Sequence, residues 1–197
     1  MKILITGANG QLGRELTKQY KQKKYSELIL TDILDLDITN VIGVNSFVNE
    51  NKPDVIINCA ALTAVDNRES QIDMAYKINT IGPKNLASAA NQIGAEIVQV
   101  STDYVFDGNI NKSLTEFDPV NPQTIYGKTK LQGEILVKSN NPKHYIVRTA
   151  WLYGDGNNFV KTMINLSETN TTLKVVNDQK GTPTSTVDLA RVIIKLI

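Results

Sequence analysis

Short apolar runs alternate along this chain with stretches whose apolar residues recur at helical spacing. Lys2 to Thr6 is apolar and ends at Gly7, which predicts a buried strand. Gln11 to Lys23 then carries Leu12, Leu16 and Tyr20 on one helical face. Glu27 to Thr31 predicts a second strand, closed by Asp32. A helix follows over about Asn40 to Glu50, with Val41, Val44, Phe47 and Val48. Asp54 to Cys59 is nearly all apolar, as expected of a parallel strand covered on both faces. Ser70 to Gln92 has Met74, Ile78, Ile81, Leu86 and Ala89 at helical spacing, and Pro83 should kink or divide that helix. A strand over Glu96 to Val100 precedes a loop rich in Asp, Asn and Pro from Thr102 to Thr124. Beyond it the pattern predicts a helix from Tyr126 to about Lys138 and a strand over His144 to Thr149. A helix over about Phe159 to Ser167, a short strand over Leu173 to Val176 and a last helix from Thr186 complete the series.

Such alternation means βαβ units with right-handed crossovers. The expected class is α/β, a Rossmann-type doubly wound parallel sheet with helices on both faces. The length of 197 residues suits one domain and is short for two. The last helix offers Leu189, Val192, Ile193 and Leu196 as an apolar stripe. It is still amphipathic at Ile197, so the chain reads as one cut inside its architecture; the bland alternative is a terminal helix that docks on the domain.

Composition narrows the function classes. The net charge is +1 with no long charge run, so neither a nucleic-acid nor a membrane surface is expected. No apolar stretch approaches the ~20 residues of a membrane span. The first strand starts at residue 2 and leaves no room for a signal peptide. A single cysteine, Cys59, excludes an intrachain disulfide and fits a reducing cytoplasm. It reads as a small buried hydrophobe. The lone histidine, His144, has no Cys/His cluster near it in sequence, and no metal site is expected.

Two motifs carry chemistry. The turn Gly7-Ala8-Asn9-Gly10-Gln11-Leu12-Gly13 joins a strand to a helix, spaced G-x-x-G-x-x-G rather than G-x-G-x-x-G. Glycines there let the backbone approach phosphate oxygens, and the helix N-terminus supplies N–H donors. The bland alternative is a tight turn with no ligand. Asp32, after the second strand, can accept bonds from the hydroxyls of an adenosine ribose; otherwise it is a loop or capping residue. Its charge would repel a 2′-phosphate, which favours NADH, and Arg14 offsets part of that repulsion, so NADPH is also admitted.

The second motif is Tyr126-Gly127-Lys128-Thr129-Lys130. Residues four apart share a helix face. A phenol beside a cation is a natural proton donor to a carbonyl under reduction. The Lys130 ammonium is expected to draw Tyr126 below its ordinary value near ~10 and also to hold the nicotinamide ribose. Thr102 is the candidate second donor to the developing oxyanion. The alternative is an ordinary exposed helix pair.

The glycine turn, Asp32, Asn58-Cys59-Ala60-Ala61, Asn79, Ser101-Thr102-Asp103 and Tyr126 to Lys130 together resemble the extended short-chain dehydrogenase/reductase family. More specific strings are Thr63-Ala64-Val65-Asp66, Ser101 to Phe106, Arg148-Thr149-Ala150-Trp151-Leu152-Tyr153, Gly156-Asn157-Asn158-Phe159 and Asn177-Asp178-Gln179. With Tyr126 to Lys130 these resemble the dTDP-4-dehydrorhamnose reductase family within it. The resemblance implies a cytoplasmic enzyme that reduces the 4-keto group of dTDP-4-dehydro-L-rhamnose with NADH or NADPH, on the route to cell-wall polysaccharide. It implies catalytic Thr102, Tyr126 and Lys130. It implies a cofactor lining of Gly7, Gly10, Gln11, Leu12, Gly13, Asp32, Asp37, Ile38, Ala60, Ala61 and Thr63, with Tyr126 and Lys130. Thr102, Asp103, Tyr104 and Trp151 would meet the nucleotide sugar. Residues 1–150 would form the cofactor domain, and 151–197 part of a small substrate domain that continues further in the family. A homodimer is one admissible assembly. Leu62 departs from the pattern, which has histidine before Thr-Ala-Val-Asp.

Two other readings share the fold. A nucleotide-sugar epimerase or 4,6-dehydratase shares tyrosine and lysine, but the dehydratases carry Asp-Glu after the threonine, where this chain has Asp103-Tyr104. Other relatives are non-catalytic regulatory subunits that bind the dinucleotide.

Overall fold

The computed structural model describes residues 1–23, 27–63, 71–109 and 112–197. Its centre is a five-stranded sheet in the order β2-β1-β3-β4-β5. The strands are β1 (Lys2–Thr6), β2 (Glu27–Thr31), β3 (Val55–Asn58), β4 (Glu96–Thr102) and β5 (His144–Thr149), and every pairing is parallel. The strand order reverses between β1 and β3, so the crevice where such sheets take ligands lies beyond their carboxyl ends.

Both faces are covered, which explains the apolar runs. Ile3, Ile5, Val55, Ile57 and Val98 point to one side. There they meet Leu12, Leu16 and Tyr20 of α1 (Gln11–Gln22) and Leu189, Ala190, Ile193 and Ile194 of α7 (Thr186–Leu196). Leu4, Ile56 and Ile97 point to the other. They meet α2 (Val41–Asn51) through Val44 and Val48, α4 (Gly82–Gln92) through Leu86, Ala87, Ala89 and Ala90, and α5 (Ile125–Asn140) through Val137. The last helix thus packs on the sheet and α1. Its core stripe takes in Ala190 and Ile194, while Val192 and Leu196, expected inside, are 49% and 41% exposed.

Elsewhere the chain departs from its pattern. The helix expected from Ser70 to Gln92 is three pieces among the described residues: α3 (Ile72–Tyr76), a π-helical turn over Lys77–Ile81, and α4. The division falls before Pro83, which sits in the first turn of α4, where its missing N–H costs nothing. Residues 64–70, including Ala64, Val65 and Asp66, lie outside the described residues. No strand forms over Leu173 to Val176, because that run finds no sheet neighbour; Val175 and Val176 are exposed. Instead β6 (Leu152–Tyr153) pairs with β7 (Thr184–Ser185). Between them lies α6 (Phe159–Thr169), which buries no residue. Among the described residues no helix is long and apolar enough to cross a membrane.

The helix α5 is set against the π turn by close backbone approach. A β-carbon on Gly133 would collide with the Asn79 carbonyl oxygen. Gly133→Ala gains helix propensity yet overpacks this contact, so a net loss of roughly 1–3 kcal/mol is expected. Chemical denaturation checks it; a stabilised variant would mean that the helices are free to separate.

Candidate active site

The glycine turn is built by the chain itself. Gly7 has φ +65°, and a β-carbon there would lie 2.7 Å from the Ala60 nitrogen. A side chain on Gly13 would strike the Gly7 carbonyl. Gly10 is different, because its β-carbon would meet only the Gly7 oxygen, at 3.2 Å. The fold needs Gly7 and Gly13 bare, whereas Gly10 is exposed. The helices α2, α5, α6 and α7 are capped by Asn40, Thr124, Asn158 and Ser185. The N-terminus of α1 has no side-chain cap and no acidic residue in its first turn. Its first N–H groups have no intrahelical acceptors, and the helix dipole adds partial positive charge. This open cradle suits a pyrophosphate. Leu12 contributes backbone only, since its side chain belongs to the core.

Asp32 stands beside the turn. Its carboxylate accepts the Asn9 N–H at 3.1 Å and the Ile33 N–H at 2.9 Å. It therefore fastens the end of β2 to the glycine turn. Arg14 donates to the Asn9 carbonyl and to the Asp155 carbonyl, both at 2.7 Å, which ties the turn to the loop after β6. Asn158 from the same region reaches Gln11 at 3.3 Å. Asp37 turns its carboxylate back on Thr39. Ile38 is buried, and its carbonyl is held by Asn85 of α4. Ala60 and Ala61 are half-buried beyond β3, and Thr63 is exposed.

Across the crevice, β4 ends at Thr102. The Thr102 hydroxyl donates to Asp103 at 3.1 Å and accepts the Tyr104 N–H at 3.2 Å, starting a 3₁₀ turn over Asp103–Val105. The Tyr104 ring meets Tyr126 edge-on, with centroids 5.7 Å apart. Gly127 permits this, because a β-carbon there would collide with the Tyr104 carbonyl. Asp103, Tyr104 and Trp151 share a cleft of about 1480 Å³ with Arg148, Thr149 and Gln179. Trp151 has φ +44°, a left-handed conformation rare for a bulky residue. Its indole leaves no room for a side chain on Gly181.

The expected effect of Lys130 on Tyr126 is not found. Burial pushes the Tyr126 phenol up to about 12; a hydrogen bond with Thr102 draws it down, and Asp103 and Tyr104 push it further up. The reason is where the amino group goes. Lys130 is buried, and its Nζ donates to the Val100 carbonyl at 2.6 Å. Burial lowers Lys130 to about 8, against which Glu134 and Cys59 pull upward. Burial also raises Asp103 and takes the Cys59 thiol to about 12, so Cys59 stays protonated and unreactive. Among the described residues no cluster of three or more His, Cys, Asp or Glu is arranged to hold a metal.

Sequence reasoning missed what surrounds Lys130. Glu134 accepts from Ser101 and, two-pronged, from the Nε and Nη2 of Arg148. A signal existed, because Glu134 continues the four-residue spacing of Tyr126 and Lys130.

A family model for the RmlD substrate binding domain matches residues 1–197. The chain belongs to this family, that of the dTDP-4-dehydrorhamnose reductases. The crystal structure of a dTDP-4-dehydrorhamnose reductase from Clostridium acetobutylicum is 72% identical with a TM-score of 0.97, covering 100% of this chain and 70% of that one. A dTDP-4-dehydrorhamnose reductase from Bacillus anthracis, solved in complex with NADP, is 46% identical with a TM-score of 0.95, covering 99% and 69%. The spore coat polysaccharide biosynthesis protein SpsK of Bacillus subtilis is 46% identical over 196 residues, 99% of this chain and 69% of that protein. This family member thus spans about two thirds of the length of the relatives it matches.

The ionisation of Tyr126 is directly measurable. In ultraviolet difference titrations, wild type and Tyr126→Phe should gain phenolate equally up to about pH 11, since a pKa about two units above the ordinary ~10 keeps this phenol protonated. A phenolate lost from the variant near pH 9 would overturn the assignment of burial as the dominant influence.

Proposed function

We propose that this chain carries the hydride-transfer site of a dTDP-4-dehydrorhamnose reductase, taking dTDP-4-dehydro-L-rhamnose to dTDP-L-rhamnose in the cytoplasm. The observation that carries the reading is Tyr126. It is a half-buried phenol that keeps its proton, contacts Thr102 and lies against Tyr104 of the substrate cleft. The bound dinucleotide would supply the hydride. Gly7, Gly10 and Gly13, with the first N–H groups of α1, would hold its pyrophosphate, and Asp32 its adenosine ribose. As negative charge grows on the substrate oxygen, Tyr126 gives its proton there. Thr102 holds the same oxygen by turning its hydroxyl away from Asp103, which needs rotation about one bond. Asp103, Tyr104 and Trp151 orient the sugar. Residues 1–150 are the cofactor unit in this reading and 151–197 the start of the substrate side, with α7 returning to the sheet. A dehydratase would need a second carboxylate after Thr102, and Tyr104 stands there.

Oxidation of NADPH or NADH in the presence of dTDP-4-dehydro-L-rhamnose tests the reading. Tyr126→Phe should lower kcat roughly 100-fold or more, the scale of general acid catalysis, with cofactor affinity nearly kept. Near-full turnover by that variant would require a different acid.

Cofactor binding has its own test. Gly10→Val, whose β-carbon would stand 3.2 Å from the Gly7 oxygen, should remain cooperatively folded and lose NADH and NADPH binding in calorimetry. Asp32→Asn retains an acceptor for the Asn9 N–H and removes the charge, so the NADPH-to-NADH affinity ratio should rise several-fold. An unchanged ratio would show that Asp32 only fastens the turn.

A further inference from the structure

We propose that Glu134 is a positioning residue for this reduction: its buried carboxylate, clamped by Arg148 and Ser101, holds the Lys130 amino group charged and in place. The proposal rests on the reductase reading above and adds a residue to it. Tyr126, Lys130 and Glu134 follow one another at four-residue intervals along α5 and share one face. Glu134 is 1% exposed. Its Oε1 accepts from Ser101 Oγ at 2.6 Å and from Arg148 Nε at 3.0 Å, and its Oε2 accepts from Arg148 Nη2 at 2.7 Å. The guanidinium lies 5.1 Å from the centre of the Phe106 ring. The carboxylate therefore fastens α5 to β4 and β5 at once.

Successive residues of β4 serve successive groups of the site. The Val100 carbonyl takes Lys130, Ser101 takes Glu134, and Thr102 faces Tyr126. The Val100 carbonyl is itself fixed, since it also accepts from Gln99 Nε2 at 2.8 Å. Gln99 is held by Asn58 at 2.7 Å, and Asn58 by Thr6 at 2.6 Å. A neutral carbonyl fixes where the amino group sits; it does little to offset the cost of burying its charge. That requires an anion. The charged or titratable groups that bear on Lys130 are Glu134, one turn further along its own helix, and Cys59 beyond β3; Tyr126 lies one turn before it, and Arg148 of β5 is paired with Glu134. Asp103 and Tyr104 of the 3₁₀ turn bear on Tyr126. Glu134 and Cys59 are the groups that raise Lys130, and Cys59 is a neutral thiol. Glu134 is thus the charge that works on Lys130. A salt bridge serving structure alone would need Arg148 and Glu134 only, and a second cation beside it would be a penalty.

The test follows lysine labelled with ¹³C at Cε in the full chain, with Lys130 assigned by Lys130→Arg. In Glu134→Gln, Lys130 should titrate at least about one unit lower than in wild type. The kcat measured with NADPH and dTDP-4-dehydro-L-rhamnose should fall first on the alkaline side, with KM for the sugar within about twofold. Glu134→Asp should restore much of both, and Ser101→Ala, which keeps both charges, should leave the titration nearly unmoved. Should Glu134→Gln fail to fold around an unpaired Arg148, the double variant Glu134→Gln/Arg148→Met removes both charges and should still lower Lys130, by less than the single change, because losing the Arg148 cation works the other way. A folded variant without the Glu134 carboxylate in which Lys130 titrates as in wild type overturns the proposal. Absence of turnover in the wild type would instead count against the reductase reading, and the titration would still decide the role of Glu134.

Discussion

The contact on which the rest of the site depends is the one between Gly7 and the end of β3. With φ +65° and the Ala60 nitrogen 2.7 Å from where a β-carbon would stand, the chain leaving β1 lies directly on the neighbouring strand. Only glycine tolerates both conditions. That turn aims the N-terminus of α1 along the carboxyl edge of the sheet, at the point where the strand order reverses. Gly13 then closes on the Gly7 carbonyl, and Asp32 and Arg14 brace the loop from either side. Gly10 enters this bracing through its backbone, its N–H on the Gly7 carbonyl at 3.1 Å and its carbonyl accepting the Arg14 N–H at 3.0 Å. A position whose side chain the fold crowds least, at a helix end with no cap, is the one where a ligand has room to approach the backbone.

The opposite side of the crevice is organised by buried polarity. Thr6, Asn58 and Gln99 form a row across three strands that ends on the Val100 carbonyl and so on Lys130. Buried polar groups are tolerable when satisfied, and a satisfied row is rigid because every alternative leaves a donor or acceptor orphaned. The Glu134–Arg148 pair extends the same logic to full charges. Removing Arg148 would strand the fully buried Glu134 carboxylate, a cost of about 3–5 kcal/mol in comparable buried pairs; removing Glu134 costs less, because the Arg148 side chain is 19% exposed. The geometry is therefore held by the expense of leaving it.

Most elements were legible because both faces of the sheet are covered, which turns each strand into an apolar run bounded by polar turns. Tyr126 and Lys130 were legible because helical spacing is a local property. What depended on crossings was not. Glu134, Ser101 and Arg148 lie on three elements, and no local pattern brings them together. The same gap produced the wrong expectation for Tyr126. Spacing places a lysine on the right face, but where its amino group ends is set by a carbonyl on β4. The run over Leu173 to Val176 has the composition of a strand and no sheet to join. The two-residue strands β6 and β7 are too short to leave a signal.

The break between α3 and α4 shows how such a local irregularity serves the site. A π turn inserts an extra residue into the helical ladder and re-aims the side chains it carries. Here Asn79 lies in that turn. Its side chain accepts the Leu62 N–H at 2.8 Å and donates to the Leu62 carbonyl at 3.1 Å and to Thr129 at 3.2 Å. Thr80 donates to the Thr129 carbonyl at 2.8 Å. Both bonds to Thr129 fall between Tyr126 and Lys130, on the turn of α5 that bears them. A regular helix would rotate Asn79 away from one of its partners. Close approach is then possible only because Gly133 faces the Asn79 carbonyl and Gly127 faces that of Tyr104. The π turn and these two glycines together fix how far α5 sits from the sheet, and that distance decides whether the Tyr126 phenol reaches Thr102.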